Sequence, residues 1–226
     1  FWWKVFEKNF NQDELIELVF NMEKYEENLF NNAVLYIKST QVYEFFWFKI
    51  KNFVKDRTEL KKFLLKNPHT GCNALILAAY VNKTTFKFLF EKVYCDLFEL
   101  KEFIYEVNDN CYLYNYYQNG ENFYQKLVQN DSVSMLELAS NQLKNGLTAD
   151  ELRDFIKIKG REGQNLLHLA AYDSKCEDAV KFLVNFIESE PGVEELRKML
   201  SDESSSPTRF IPWLKAIKFN KNIKIH

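Results

Sequence analysis

Apolar and polar positions alternate along this chain in short helical blocks, and one block is written five times. A Glu-Leu pair with an apolar residue three or four positions on opens a predicted helix at each copy. The copies are ELIELV at Glu14, ELKKFL at Glu59, ELKEFI at Glu99, ELRDFI at Glu151 and ELRKML at Glu195. They stand 45, 40, 52 and 44 residues apart. A period in that range marks a solenoid, whose units are too small to bury a core alone and stack on their neighbours.

Three positions before most of these Glu residues sits a capping residue: Asn11, Asp56, Asp96 and Thr148, with Gly192 in the fifth copy. This is capping-box spacing, in which the cap side chain and the Glu each satisfy a free backbone donor of the first turn. A second predicted helix follows each opening helix after a variable loop. Its copies read NLFNNAV from Asn28, NALILAA from Asn73, NFYQKLV from Asn122, NLLHLAA from Asn165 and IPWLKAI from Ile211. The sixth position is Ala33, Ala78, Ala170 and Ala216 in four of them, and Leu127 in the degenerate third. A small residue there lets two helices approach closely. Gly71, Gly120 and Gly163 lie two residues before three of these helices and suit a tight turn with positive φ. A third, aromatic-rich helix completes the unit. Trp2, Trp3, Phe46, Trp47, Phe88 and Phe182 on it read as core.

The segment from Gly163 to Ile187 resembles an ankyrin repeat through Gly163, Leu167, His168, Ala170, Ala171, Val180 and Leu183. Gly71 to Phe90 is similar through Gly71, Leu75, Ala78, Ala79 and Leu89. The unit is about a dozen residues longer than the common ankyrin form, and the Glu-Leu helix is the extra length. Asn also replaces the usual Thr at positions 73 and 165. The resemblance implies an all-α helical solenoid spanning residues 1–226, with units starting near 14, 59, 99, 151 and 195. Both ends cut through the repeat, so the chain reads as part of a longer array.

Composition agrees with that expectation. Of 226 residues, 46% are hydrophobic, and only six are Gly and four Pro, too few for a many-turned β protein. A net charge of −2 with interspersed Lys and Glu gives no broad basic field for nucleic acid. No apolar run reaches the length of a membrane span. Cys72, Cys95, Cys111 and Cys176 form no C-x-x-C pair and read as reduced thiols of an intracellular, cytoplasmic protein. Delivery into a host cell is the alternative location.

The chemistry-bearing residues all find structural readings. His69 and Cys72 supply two metal ligands where zinc wants three or four, so no metal and no cofactor are expected. His168 has no nucleophile or acid at a recognisable spacing, and the resemblance gives it a bracing role within the stack. The five Glu residues recur at the cap. No catalytic residue is expected.

The functional expectation is therefore a protein-interaction scaffold with a concave binding surface. Its alternative is the targeting portion of a larger effector, toxin or enzyme whose activity lies elsewhere. The resemblance places Tyr80, Asn82, Tyr172 and Asp173, just past the Ala pairs, along the groove. The insert from Asn108 to Tyr124 breaks the pattern and holds Tyr112, Tyr114, Tyr116, Tyr117 and Tyr124. Tyrosine is enriched at binding surfaces, so the insert reads either as a contact surface or as a cover for the weak third copy. A second departure, the acidic Ser-rich run from Ser201 to Pro207, reads as a solvated loop.

Overall fold

A computed structural model describes residues 39–54, 56–65, 73–95, 99–105, 121–130, 132–160, 163–172 and 177–202, together with Lys8, Asn11, Glu14, Ala33 and Val34. Among the described residues every regular element is helical and there is no strand. The chain divides into two compact units, Phe1–Tyr117 and Gln118–His226, so the boundary falls inside the tyrosine-rich insert.

In the first unit, α1 (Thr40–Phe53) buries Tyr43, Trp47 and Ile50, with Val54 just beyond it. These positions form one stripe at helical spacing. Tyr43 is anchored through its hydroxyl, which donates to the Ala33 carbonyl. Helix α2 (Arg57–Leu65) buries Leu60 and Leu64, and its Thr58 N–H donates to Asp56 Oδ1 at 2.8 Å. Helix α3 (Ala74–Val81) is buried from Ala74 through Ala79. Its unbroken apolar sequence, ALILAA, suits a helix covered on all sides.

Asn82 both ends α3 and begins α4 (Lys83–Phe88): its N–H donates to Ala78 O, and its Oδ1 accepts from Thr84 and Thr85 N–H. The chain then widens into a π-helical segment, Leu89–Tyr94, that buries Leu89, Phe90, Val93 and Tyr94. Phe86 stacks on Phe90 at 5.4 Å, and Phe103 meets both Phe90 and Tyr94 edge-on. Such pairs add to area burial. The Tyr94 hydroxyl donates to Leu64 O at 2.6 Å, tying this segment to α2. Helix α1 packs on α4.

The short α5 (Leu100–Ile104) corrects one expectation. Glu99 is itself the cap, and Glu102 is the residue that reaches back to the Glu99 N–H at 2.7 Å. The sequence ELKEFI carries a second Glu three positions on, which moves the box one turn past Asp96. Lys61 of α2 also donates to both Glu102 oxygens at 2.6 Å and holds that carboxyl below its usual range.

The second unit has two matched layers. Helices α6 (Phe123–Gln129) and α7 (Val133–Gly146) precede α8 (Ala149–Ile156); α9 (Leu166–Tyr172), α10 (Glu177–Ser189) and α11 (Val193–Ser201) follow. Helix α6 packs on α9, and α7 packs on α10. Second helices therefore meet second helices, and third helices meet third. Thr148 and Glu151 form the expected capping box at α8, as Asn11 and Glu14 do near the chain start. Gly192, at φ +103, ends the α10 turn and opens α11, a backbone state that glycine adopts without Cβ strain. Gly163 also has positive φ, at 69. Gly71 and Gly120 lie outside the described residues.

Ala33, Ala78 and Ala170 are buried, the last two completely, as their spacing predicts. Ala216 lies outside the described residues. Ala78→Leu or Ala170→Leu should overpack the helix contact and cost about 1–3 kcal/mol, read as an earlier denaturation midpoint. A variant that unfolds with the parent would show that the small residue is not needed there. The aromatic stripe is less uniform than predicted. Trp47 is buried, but Phe46, Phe88 and Phe182 are half-buried, and Phe48 on α1 is 64% exposed. Trp2 and Trp3 lie outside the described residues.

Candidate interaction surface

The predicted groove residues can be placed only in part. Tyr80, in the last turn of α3, is exposed, with Lys83, Thr84 and Lys87 of α4 exposed after it. Asn82 is half-buried, and its side-chain oxygen is committed to capping α4 through the Thr84 and Thr85 N–H groups, at 3.0 and 3.2 Å. What it offers a partner is its position, not a free acceptor. Tyr172 closes α9, but its side chain, Asp173, and the insert residues Tyr112, Tyr114, Tyr116 and Tyr117 lie outside the described residues. Tyr124, from the same insert, packs. It is fully buried, its hydroxyl shares a 2.7 Å hydrogen bond with Ser140 Oγ, and its ring meets Phe155 edge-on. Burial pushes its phenol well above the usual range, with Ser140 pulling the other way.

Three second helices share a cap that sequence reading did not identify. Asn73 Oδ1 accepts from Ile76 N, Asn122 Oδ1 from Gln125 N, and Asn165 Oδ1 from His168 N. At Asn122 the Gln125 side chain returns the bond to the cap N–H. At Asn165, His168 Nδ1 does the same at 3.3 Å. His168 is thus buried as the far half of a capping box, with Nδ1 as acceptor. The available signal was Asn followed three residues later by a polar side chain.

In the second unit a cleft of about 400 Å³ lies between the end of α8 and α11. Its walls are polar. Lys157 pairs with Glu195 at 3.4 Å and Lys159 with Asp202 at 2.8 Å. Asn165 Nδ2 donates to Met199 O at 2.8 Å and to Asp202 Oδ2 at 3.4 Å. Ser201 Oγ donates back to its own helix. Glu195 therefore departs from the repeat rule. Its cap position is Gly192, whose N–H already donates to Ile187 O, so the Glu195 carboxylate serves Lys157 instead. The cleft is lined by ion pairs and helix-end groups, and its lining residues assemble no nucleophile with a base.

The third copy holds the least expected group. Lys126 occupies the position of Leu77 and Leu169 and is only 2% exposed. It donates to Glu121, also buried, and to Gln129 Oε1 at 3.2 Å. Gln129 Nε2 donates to the other Glu121 oxygen at 3.0 Å. Burial lowers the Lys126 pKa, and Glu121 opposes that shift. Next to this cluster, Gln125 Nε2 donates to Ile158 O at 3.1 Å. A Cβ on Gly160 would come within 3.2 Å of Glu121. The α8–α9 loop thus lies directly against the buried polar cluster.

Among the described residues no three His, Cys, Asp or Glu side chains gather as a metal site, and no helix is long and apolar enough to cross a membrane. His69 and Cys72 lie outside the described residues. No protein-family model matches the sequence, and no curated protein matches it.

Proposed function

We propose that this chain is a protein-binding scaffold built as an ankyrin-like solenoid that acts on no substrate. One observation carries the reading: the same local construction recurs in both units. An Asn cap, an apolar helix and a fully buried Ala five residues after the cap appear as Asn73 to Ala78 and as Asn165 to Ala170. The layered packing of α6 on α9 and α7 on α10 is the arrangement that a stack of such units requires. A stack of this kind holds loop tips and helix ends in fixed register, and a partner binds without ordering the scaffold first. Tyr80 has the profile of a contact residue, with an exposed ring on a buried, rigid helix. The insert tyrosines 112, 114, 116 and 117, with Asn82, Tyr172 and Asp173, complete the proposed surface. The expected setting is the cytoplasm.

The test has two stages. Proteins retained by the immobilised chain are identified by mass spectrometry, and the affinity of the leading partner is measured in solution. Tyr80→Ala should weaken that affinity by about tenfold or more, the scale of a contact hot spot, while the melting temperature stays near the parent value. Unchanged affinity in Tyr80→Ala and in a variant lacking all four insert tyrosines would defeat the proposed surface.

A further inference from the structure

The buried cluster in the third copy has a chemistry beyond an ion pair. Three groups meet there: an amine, a primary carboxamide and a carboxylate that touches both nitrogens. Glu121 Oε2 accepts from Lys126 Nζ, and Glu121 Oε1 accepts from Gln129 Nε2 at 3.0 Å. Lys126 Nζ stands 3.2 Å from Gln129 Oε1, so the amide carbon is one bond away from an atom already in contact. Lys126 and Glu121 are almost fully buried, whereas Gln129, at the end of α6, is half-buried. Lys and Gln three apart on a helix share a face.

We propose that Lys126 and Gln129 are a site of intramolecular isopeptide formation, with Glu121 as the proton shuttle. The ion pair first exchanges its proton, giving a neutral amine and a carboxylic acid. Burial lowers the Lys126 pKa, against the pull of Glu121, and so brings the neutral amine closer to reach. A turn of the Gln129 amide about its terminal bond then presents the carbonyl carbon to Nζ. The amine lone pair forms the new N–C bond, and the bond from Cδ to Nε2 breaks. Glu121 takes the proton released by Nζ and supplies one to Nε2, which leaves as ammonia through the half-buried side of the site. No oxidant, metal or cofactor enters, and the carboxyl group leaves the step as it entered it, as the acid. Held contact between the reacting groups replaces an activating enzyme. The product is a covalent staple across the last turn of α6, in a copy that carries Lys126 where two others carry Leu77 and Leu169.

Intact-mass measurement of the purified chain after incubation at neutral pH tests this directly. The expected chain is about 17 Da lighter than its sequence, the mass of one ammonia. Asn119-Gly120 and Asn145-Gly146 can lose the same mass by forming succinimides, so location matters. Trypsin should fail to cut after Lys126, and tandem mass spectrometry should place the loss on a Lys126–Gln129 cross-link. Lys126→Arg keeps a cation beside Glu121 and should restore the full mass. A wild-type chain of full mass, or one whose loss maps to either Asn-Gly pair while trypsin cuts after Lys126, overturns the proposal.

Discussion

Lys126→Met is expected to destabilise the second unit by about 3–5 kcal/mol, the scale for removing one partner of a buried ion pair. The loss comes from what is left behind. Glu121 is 4% exposed, and without Lys126 its carboxyl loses its buried cation while the Gln129 amide stays at 3.0 Å. A buried anion without its cation must protonate or draw water into the site, and both weaken the fold. That figure applies to the free pair; where Lys126 and Gln129 have joined there is no ion pair to break, and the variant loses the covalent staple instead. Replacing both groups with apolar ones, Glu121→Met with Lys126→Leu, should recover most of the loss. It restores at 126 the leucine found at Leu77 and Leu169. Urea denaturation of the three chains reads the difference. If Lys126→Met unfolds at the parent midpoint, the pair is not buried as described.

Helix starts and small buried positions were legible in the sequence wherever a local rule acts alone. Thr148 with Glu151 and Asn11 with Glu14 form capping boxes because both partners lie within one turn, and spacing is enough to find them. Ala78 and Ala170 are buried because a small residue in an apolar helix has few other uses. The same rule failed at Glu99 and Glu195 for separate reasons. A second Glu offered Glu99 a better register as the cap. The Gly192 N–H already donates to Ile187 O, which left the Glu195 carboxylate for Lys157.

Side-chain burial on the third helices was harder to read. Phe46, Phe48 and Trp47 are adjacent and equally apolar, yet only Trp47 is buried, because helix rotation is set by what packs against α1. Periodicity identifies a stripe only when polar residues interrupt it, and EFFWF has no interruption. Lys126 was missed for a related reason. Its partner Glu121 lies five residues earlier and before the helix begins, outside any helical pairing rule. The irregular third copy was visible as irregular, through Leu127 and the tyrosine-rich insert, and the boundary between the two units falls in that insert. Tyr124 shows that at least its last ring is core.

Asn165→Ala is expected to cost about 2–4 kcal/mol, combining a lost cap with a stranded buried carbonyl. The cap contribution is local: Asn165 Oδ1 accepts from His168 N at 3.0 Å and starts α9. The second contribution is tertiary. Asn165 Nδ2 donates to Met199 O at 2.8 Å, near the end of α11, where a helix leaves its last carbonyls without partners. Alanine supplies neither group, and Met199 is itself buried. Asn73 provides the comparison, because it makes the equivalent cap bond to Ile76 N at the start of α3. Asn73→Ala should therefore lose only the cap, about 1 kcal/mol. Asn165→Asp retains a cap acceptor but removes the donor to Met199 and brings a second carboxylate towards Asp202, which already lies 3.4 Å from Nδ2. It should fall well below the parent at neutral pH, and recover in part as acid protonates the new carboxyl. Equal losses for Asn165→Ala and Asn73→Ala would mean that the bond from α9 to α11 contributes nothing, and that this Asn is a cap alone.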